Sequence, residues 1–196
     1  MSAASWPVCL TYLERECNYG RQAPYSVADR LYAMVLWTFA ECIAATSIME
    51  IGVGPESVSG CTFIHNMAQR GGGCLYSVDV DPALPQPKYR ALAQALGVEW
   101  SIAHGDSLAP EVGFPASLLV DLLYIDGNHD AAHAGGDLAK FLPHLRPGGY
   151  LLIDDFPPQR GVGEGRTAIE QIVPHAIHLA HHAPHGNGRL VWQRPV

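Results

Sequence analysis

Short apolar runs alternate along this chain with stretches whose apolar residues recur at helical spacing, and that rhythm predicts βαβ units feeding a parallel sheet. Strands are expected over Ser47–Ile51, Leu75–Val80, Val98–Ala103, Leu122–Ile125 and Tyr150–Ile153. Helices are expected from Ser26 toward Ala45, from Ser57 to Gln69, from Pro87 to Leu96 and from His129 to Leu142. Ser26-Val27-Ala28-Asp29 has the spacing of a capping box, and Pro87 suits a first helical position. Gly71-Gly72-Gly73 and Pro147-Gly148-Gly149 read as punctuation between elements. The runs Leu-Leu-Tyr-Ile and Tyr-Leu-Leu-Ile have no polar alternation, as befits central strands covered on both faces.

Beyond Asp155 a Pro/Gly-rich stretch reads as a loop, and a short helix is expected from Arg166 to Val173. Two alternating pieces, His175 to His182 and Arg189 to Gln193, flank His185-Gly186-Asn187-Gly188 and predict an antiparallel hairpin. The histidines at 175, 178, 181, 182 and 185 would divide between the two faces of such a strand, so a polar hairpin face is expected rather than one metal site. Residues 1 to 24 carry the least assignable pattern. The expectation is an α/β protein with one domain over 1–196, a helical lid segment over 1–45 and the core over 46–196.

Composition narrows the partners. At 196 residues and 48% hydrophobic the chain can bury one sizeable core. Twelve Lys+Arg against 19 Asp+Glu give a net charge of -7, which argues against nucleic acid or an anionic membrane surface. The apolar run Leu31–Ala40 is far short of the roughly 18 residues of a membrane span. Met1–Leu10 lacks a leader pattern, so a cytoplasmic location is expected. The five cysteines form no C-x-x-C pair and read as reduced core thiols.

In a parallel α/β sheet, ligands bind beyond the C-terminal strand ends. After the first strand stands Glu50-Ile51-Gly52-Val53-Gly54, where glycines let the backbone turn tightly beside a helix N-terminus. A dinucleotide fingerprint would require glycine at 57, where the chain has Ser57. Asp79 and Asp81 end the second strand and suit ribose hydroxyls, while Asp106 and Ser107 follow the third and suit an adenine amine. This acid-x-Gly-x-Gly pattern, with acids ending strands two and three, resembles the S-adenosylmethionine site of class I methyltransferases. That resemblance implies a Rossmann-like, doubly wound, mostly parallel seven-stranded sheet closed by the hairpin.

Further along, Asp126 ends one central strand and Asp154-Asp155 end the next. Three carboxylates at one locus repel unless a cation is present, so they read as a hard-metal site suited to Mg²⁺. The stretch from Ser47 to Phe156 resembles the metal-dependent O-methyltransferases of the catechol and caffeoyl-CoA type and, more closely, the type acting on macrolide sugars. The resemblance implies that Asp126, Asp154 and Asp155 hold the metal, and it places His129 where the macrolide type has its catalytic base. It also implies a small hydroxylated acceptor, such as a vicinal diol or catechol, and a homodimer. Under that reading Glu50, Gly52, Gly54, Ser57, Asp79, Asp81, Asp106, Ser107 and Asp126 form the cofactor site, with His129 and Asp126 catalytic. Glu56 stands where a third glycine is usual and would crowd the methionyl carboxylate. The rival readings are a metal-dependent hydrolase or lyase using the same acids, a catalytically silent protein of this fold and an NAD-linked oxidoreductase.

Overall fold

A computed structural model of the chain describes residues 5–17, 26–156, 169, 171–179 and 188–196. The elements are α1 (Trp6–Glu16), α2 (Ser26–Cys42), β1 (Ser47–Ile51), α3 (Val58–Ala68), β2 (Gly73–Asp79), α4 (Pro87–Ala95), β3 (Val98–His104), β4 (Val120–Ile125), α5 (Ala131–Phe141), β5 (Leu145–Phe156), β6 (Ile177–Leu179) and β7 (Gly188–Gln193). The strands form one seven-stranded sheet in the order β3-β2-β1-β4-β5-β7-β6. Strands β1 to β5 run parallel, and β7 is antiparallel to both β5 and β6. The Rossmann-like sheet and its closing hairpin are as the sequence predicts.

The uninterrupted apolar strands explain the layering. Alternate side chains of a strand point to opposite faces, and both faces of β1 and β4 are covered. On one face Met49, Ile51, Leu123 and Ile125 pack with Leu138 and Phe141 of α5. On the other, Ile48, Leu122 and Tyr124 pack with Leu36 of α2 and Phe63, Ile64 and Met67 of α3. Strand order reverses between β1 and β4, so the crevice for a ligand opens where Gly52 leaves β1 beside Asp126 at the end of β4.

Two expectations change, and the N-terminal segment expected to be helical takes a definite form. The N-terminal region contains α1, begun by Pro7 and held by the buried residues Cys9 and Leu13, with Tyr12 stacked 5.3 Å from the His65 ring of α3. Pro147-Gly148-Gly149 is no turn between elements but a bulge inside β5: the register with β4 passes from Val120–Leu145 to Leu122–Tyr150. Hydrogen bonds to the backbone of Arg194 keep it in the sheet, from Gly148 N–H at 2.9 Å and to Gly149 C=O at 2.9 Å. Finally, α5 starts at Ala131 rather than at His129, because Asp130 caps it by accepting the His133 N–H at 2.9 Å.

Side chains at 26–30, including the proposed capping box, lie outside the described residues, as do half of the helix expected over 166–173, the loop over 157–165 and the hairpin tip with His181, His182 and His185. Among the described residues no helix is long and apolar enough to cross a membrane.

Candidate active site

The glycine turn after β1 is built around close backbone approach. Gly52 has φ +94°, and a Cβ there would stand 2.3 Å from the Asp126 carbonyl oxygen. Its N–H donates to Val78 C=O at 2.9 Å, while Asp126 N–H donates to Ile51 C=O at 2.8 Å, so the ends of β1, β2 and β4 are stitched together. Gly54, at φ +65°, has nothing within 4 Å of its Cβ position. Asp79 ties this turn to β2: one carboxylate oxygen accepts from Val53 N–H at 2.8 Å and Gly54 N–H at 3.2 Å, and the other accepts from Asp81 N–H at 2.9 Å.

A cleft of about 400 Å³ opens over this turn. Gly52, Gly54, Asp79, Asp106, Ser107 and Asp126 all line it, as the sequence predicts. Asp106 also accepts the Leu108 N–H at 2.9 Å, which closes the turn after β3. Three other predicted cofactor residues stand back from the cleft wall. Glu50 is fully buried, accepting from Ser59 Oγ at 2.9 Å and Ser77 Oγ at 2.6 Å, so it braces β1 against β2 and α3. Burial pushes its carboxyl up to about 7, against the pull of the two serine hydroxyls. Ser57 is buried at the start of α3 in a left-handed conformation, φ +46°. Asp81 spends its carboxylate on the Ala83 N–H at 2.8 Å. Glu56 also turns away, its carboxylate accepting from the Tyr89 hydroxyl at 3.4 Å, so it does not crowd the cleft.

Asn128 and His133 line the cleft without having been singled out in the sequence. His133 Nδ1 lies 2.8 Å from Asp130, just past the strand end where such residues are to be sought. Asp137 of α5 is 1% exposed, and burial raises its pKa. It backs the cleft, 3.7 Å from the Cβ position of Gly127.

Beyond the glycine turn lies a polar network drawn from four elements. Tyr32 of α2 donates to Asp126 Oδ2 at 2.7 Å, and Tyr124 of β4 stands 2.8 Å from the same oxygen and 3.2 Å from Asp154 Oδ2. The two phenol oxygens are 2.7 Å apart. Two phenol protons therefore serve three carboxylate contacts. From β7, Arg189 Nε donates to Asp154 Oδ1 at 2.8 Å and Nη2 to Asp154 Oδ2 at 3.3 Å, and the guanidinium lies 5.0 Å from the centre of the Tyr32 ring. Continuing the antiparallel register of β5 and β7 past Ile153–Leu190 brings Asp154 to Arg189, and the register shifts before Phe156–Gly188.

His129 sits before α5 with Nε2 3.7 Å from Asp126 Oδ1, and its side chain is 46% exposed. Burial first, and the charge of Asp154 second, hold the Asp126 carboxyl above its usual range, opposed by the two phenols and by His129. Burial works against the Arg189 charge, but Asp154 more than offsets it and the guanidinium is held above its ordinary value.

The donor set does not fit the divalent ion expected from the three acids. Mg²⁺ demands near-octahedral oxygen ligation, yet both Asp154 oxygens face a guanidinium and Asp126 Oδ2 is met by two hydroxyls. The Asp155 side chain lies outside the described residues. Among those described, no group of three His, Cys, Asp or Glu side chains could hold a metal. Tyr32, Tyr124 and Arg189 were not read as site residues from the sequence; the one available signal was an arginine opening an otherwise apolar strand.

A family model described as a methyltransferase domain matches residues 49–156, which holds the glycine turn, Asp79, Asp106, Asp126, His129 and Asp154. No curated protein matches the chain significantly. Among solved structures, the chain is similar to the O-methyltransferase TomG of Streptomyces achromogenes, involved in tomaymycin synthesis and solved with S-adenosylmethionine, at 17% identity and TM-score 0.68 over 100% of both chains. It is similar to an O-methyltransferase of Bacillus cereus solved with S-adenosylhomocysteine, at 15% identity and TM-score 0.64, covering 95% of this chain and 90% of that one. It also resembles the methyltransferase PaMTH1 of Podospora anserina, at 16% identity and TM-score 0.58, covering 94% and 87%. These likenesses establish a shared fold, and the family match spans more than half of the sequence: the chain belongs to the methyltransferase domain family.

Proposed function

We propose that this protein methylates a hydroxyl oxygen of a small molecule, with S-adenosylmethionine as donor and His129 as general base. The observation that carries the reading is one continuous site, in which the cleft over Gly52 and Gly54 is bordered by Asp126, and Asp126 in turn faces His129. The residues fit the cofactor. A cleft of about 400 Å³ is within the range of small-molecule sites, Gly54 presents bare backbone, and the acids after β2 and β3 offer acceptors for ribose and adenine groups. The complexes of TomG and the Bacillus cereus protein with S-adenosylmethionine and S-adenosylhomocysteine support that choice.

What the cofactor supplies is an electrophilic methyl group on a sulfonium. The protein's part is to hold the acceptor in line and remove its proton, and orientation of two bound reactants supplies much of such a rate. His129 takes the hydroxyl proton onto its imidazole, and the half-exposed ring returns it to water. Asp126 Oδ1 faces that ring and stabilises its protonated form, while Tyr32 and Tyr124 fix the carboxylate through Oδ2. Metal dependence does not enter this proposal, because Arg189 already answers the Asp154 charge. The same fact weighs against the metal-dependent hydrolase reading.

The test is calorimetric titration of S-adenosylmethionine and S-adenosylhomocysteine into the protein, followed by a screen of hydroxylated acceptors for S-adenosylhomocysteine release. Micromolar binding and transfer to oxygen are expected. Absence of cofactor binding would overturn the reading, and binding without transfer to any acceptor would favour a silent protein of this fold.

A further inference from the structure

Two carboxylates at the ends of neighbouring strands, bridged by one phenol, repel each other unless one keeps its proton or a positive charge lies nearby. Tyr124 Oη lies 2.8 Å from Asp126 and 3.2 Å from Asp154, so the acids share one locus. The charge present there is a side chain. Arg189 is 3% exposed, is bonded to both oxygens of Asp154 and rests on the Tyr32 ring, whose hydroxyl reaches Asp126. We propose that Arg189 is the resident cation of this site, standing in for the divalent metal that such a pair of strand-end acids would otherwise recruit, so that the protein binds no metal there.

A divalent ion placed beside this guanidinium would meet a like charge at short range and find both Asp154 oxygens and Asp126 Oδ2 already engaged. The guanidinium is planar and always charged, and it matches a carboxylate through two parallel donors. It therefore supplies fixed charge without the open coordination positions of a metal. Arg189 acts through Asp154, Tyr124 and Asp126 and is a positioning residue. Without a metal to chelate, the acceptor needs no pair of neighbouring oxygens. Without a metal to acidify it, the hydroxyl must be acidic enough for an imidazole to deprotonate. A single phenolic or enolic hydroxyl meets both conditions, and an aliphatic diol does not.

This last consequence rests on the methyltransferase reading, whereas the charge substitution does not, and the experiment separates them. The probe is Mn²⁺ alone, titrated into the full chain and followed by the electron paramagnetic resonance signal of the free ion. The wild type should leave that signal unchanged at millimolar ion. Arg189→Met keeps the length and apolar packing of the side chain but removes its charge, and it should take up one Mn²⁺ per chain, an uptake lost in Arg189→Met/Asp154→Asn. Stoichiometric Mn²⁺ binding by the wild type, abolished by Asp126→Asn, would overturn the inference. So would a folded Arg189→Met, checked by circular dichroism, that binds no Mn²⁺. If that variant does not fold, the wild-type titration decides alone. S-adenosylhomocysteine affinity, measured on the same samples, reports on the cofactor reading independently.

Discussion

Arg189 Nε stands 2.8 Å from Asp154 Oδ1, and the two residues are 3% and 9% exposed, a buried ion pair between the antiparallel strands β5 and β7. Desolvation makes such a pair costly to break from one side, since the survivor remains buried and charged. Asp154→Ala should therefore lower stability by about 3–5 kcal/mol, because it strands a guanidinium whose Nη1 already lacks a partner. The double change Asp154→Leu/Arg189→Met should cost much less. Urea unfolding of the single and double variants measures both, and equal losses would show that a stranded guanidinium is not the source of the cost.

His129 is half-exposed and lies outside α5, so under the proposed mechanism it moves a proton and does not hold the fold. His129→Ala should reduce turnover by about 10²–10⁴ while leaving S-adenosylhomocysteine affinity within about twofold. Asp126→Asn should show the same pattern with a smaller loss of turnover, since the ring keeps its place but loses the charge that steadies its protonated form. Turnover of His129→Ala near the wild-type value would remove the imidazole from the mechanism.

The two glycines of the turn after β1 separate backbone strain from collision. At Gly52 an added methyl would meet the Asp126 carbonyl at 2.3 Å, whereas at Gly54 it would meet no atom within 4 Å. Gly54→Ala should cost about 1–2 kcal/mol from its left-handed conformation alone, and Gly52→Ala more, because β1 and β4 must part to admit it. Both should weaken S-adenosylhomocysteine binding, Gly54→Ala out of proportion to its effect on stability. Thermal melts and calorimetry on the same samples provide the comparison.

Glu50 makes stability depend on pH in a fixed direction. Its carboxyl titrates near 7 in the folded protein against an ordinary value of 4.5, because burial outweighs the hydrogen bonds from Ser59 and Ser77. Between those values the folded state keeps a proton that the unfolded chain has released, so this residue's contribution to stability is full below the lower value and declines as pH rises. It is lost by about pH 7 and flat above. The span corresponds to about 3 kcal/mol at 1.36 kcal/mol per unit. Glu50→Gln should lack this slope, and the difference between wild type and variant in urea unfolding from pH 4.5 to 8 isolates it. Parallel profiles would show that Glu50 does not titrate in that window.

The order of the elements and the location of the cleft were legible in the sequence because both depend on local signals. Unbroken apolar runs specify central strands, and polar residues immediately after them can only lie at strand ends, which is why Gly52, Gly54, Asp79, Asp106, Ser107 and Asp126 were identified and do line one cleft. Position at a strand end does not say which way a side chain faces. Glu50, on β1 itself, turned out to be structural, and Asp81 was consumed by its own turn. The N-terminal helix was also within reach, since Cys9, Leu13 and Cys17 recur at helical spacing behind Pro7, but the run is short and its meaning comes from packing on α3.

By itself, then, the sequence determined a doubly wound sheet, its switch point and the acids gathered there, since periodicity and strand-end polarity are properties of neighbouring residues. Which cation answers those acids was decided only by tertiary structure. Arg189 is 35 residues from Asp154 and Tyr32 is 94 from Asp126, so no spacing in the chain links them. They meet because the hairpin returns β7 alongside β5 and because α2 packs against the face of the sheet to which Tyr124 belongs. Charges buried together must be compensated where they lie, and the partner a chain brings to them depends on how its distant segments pack.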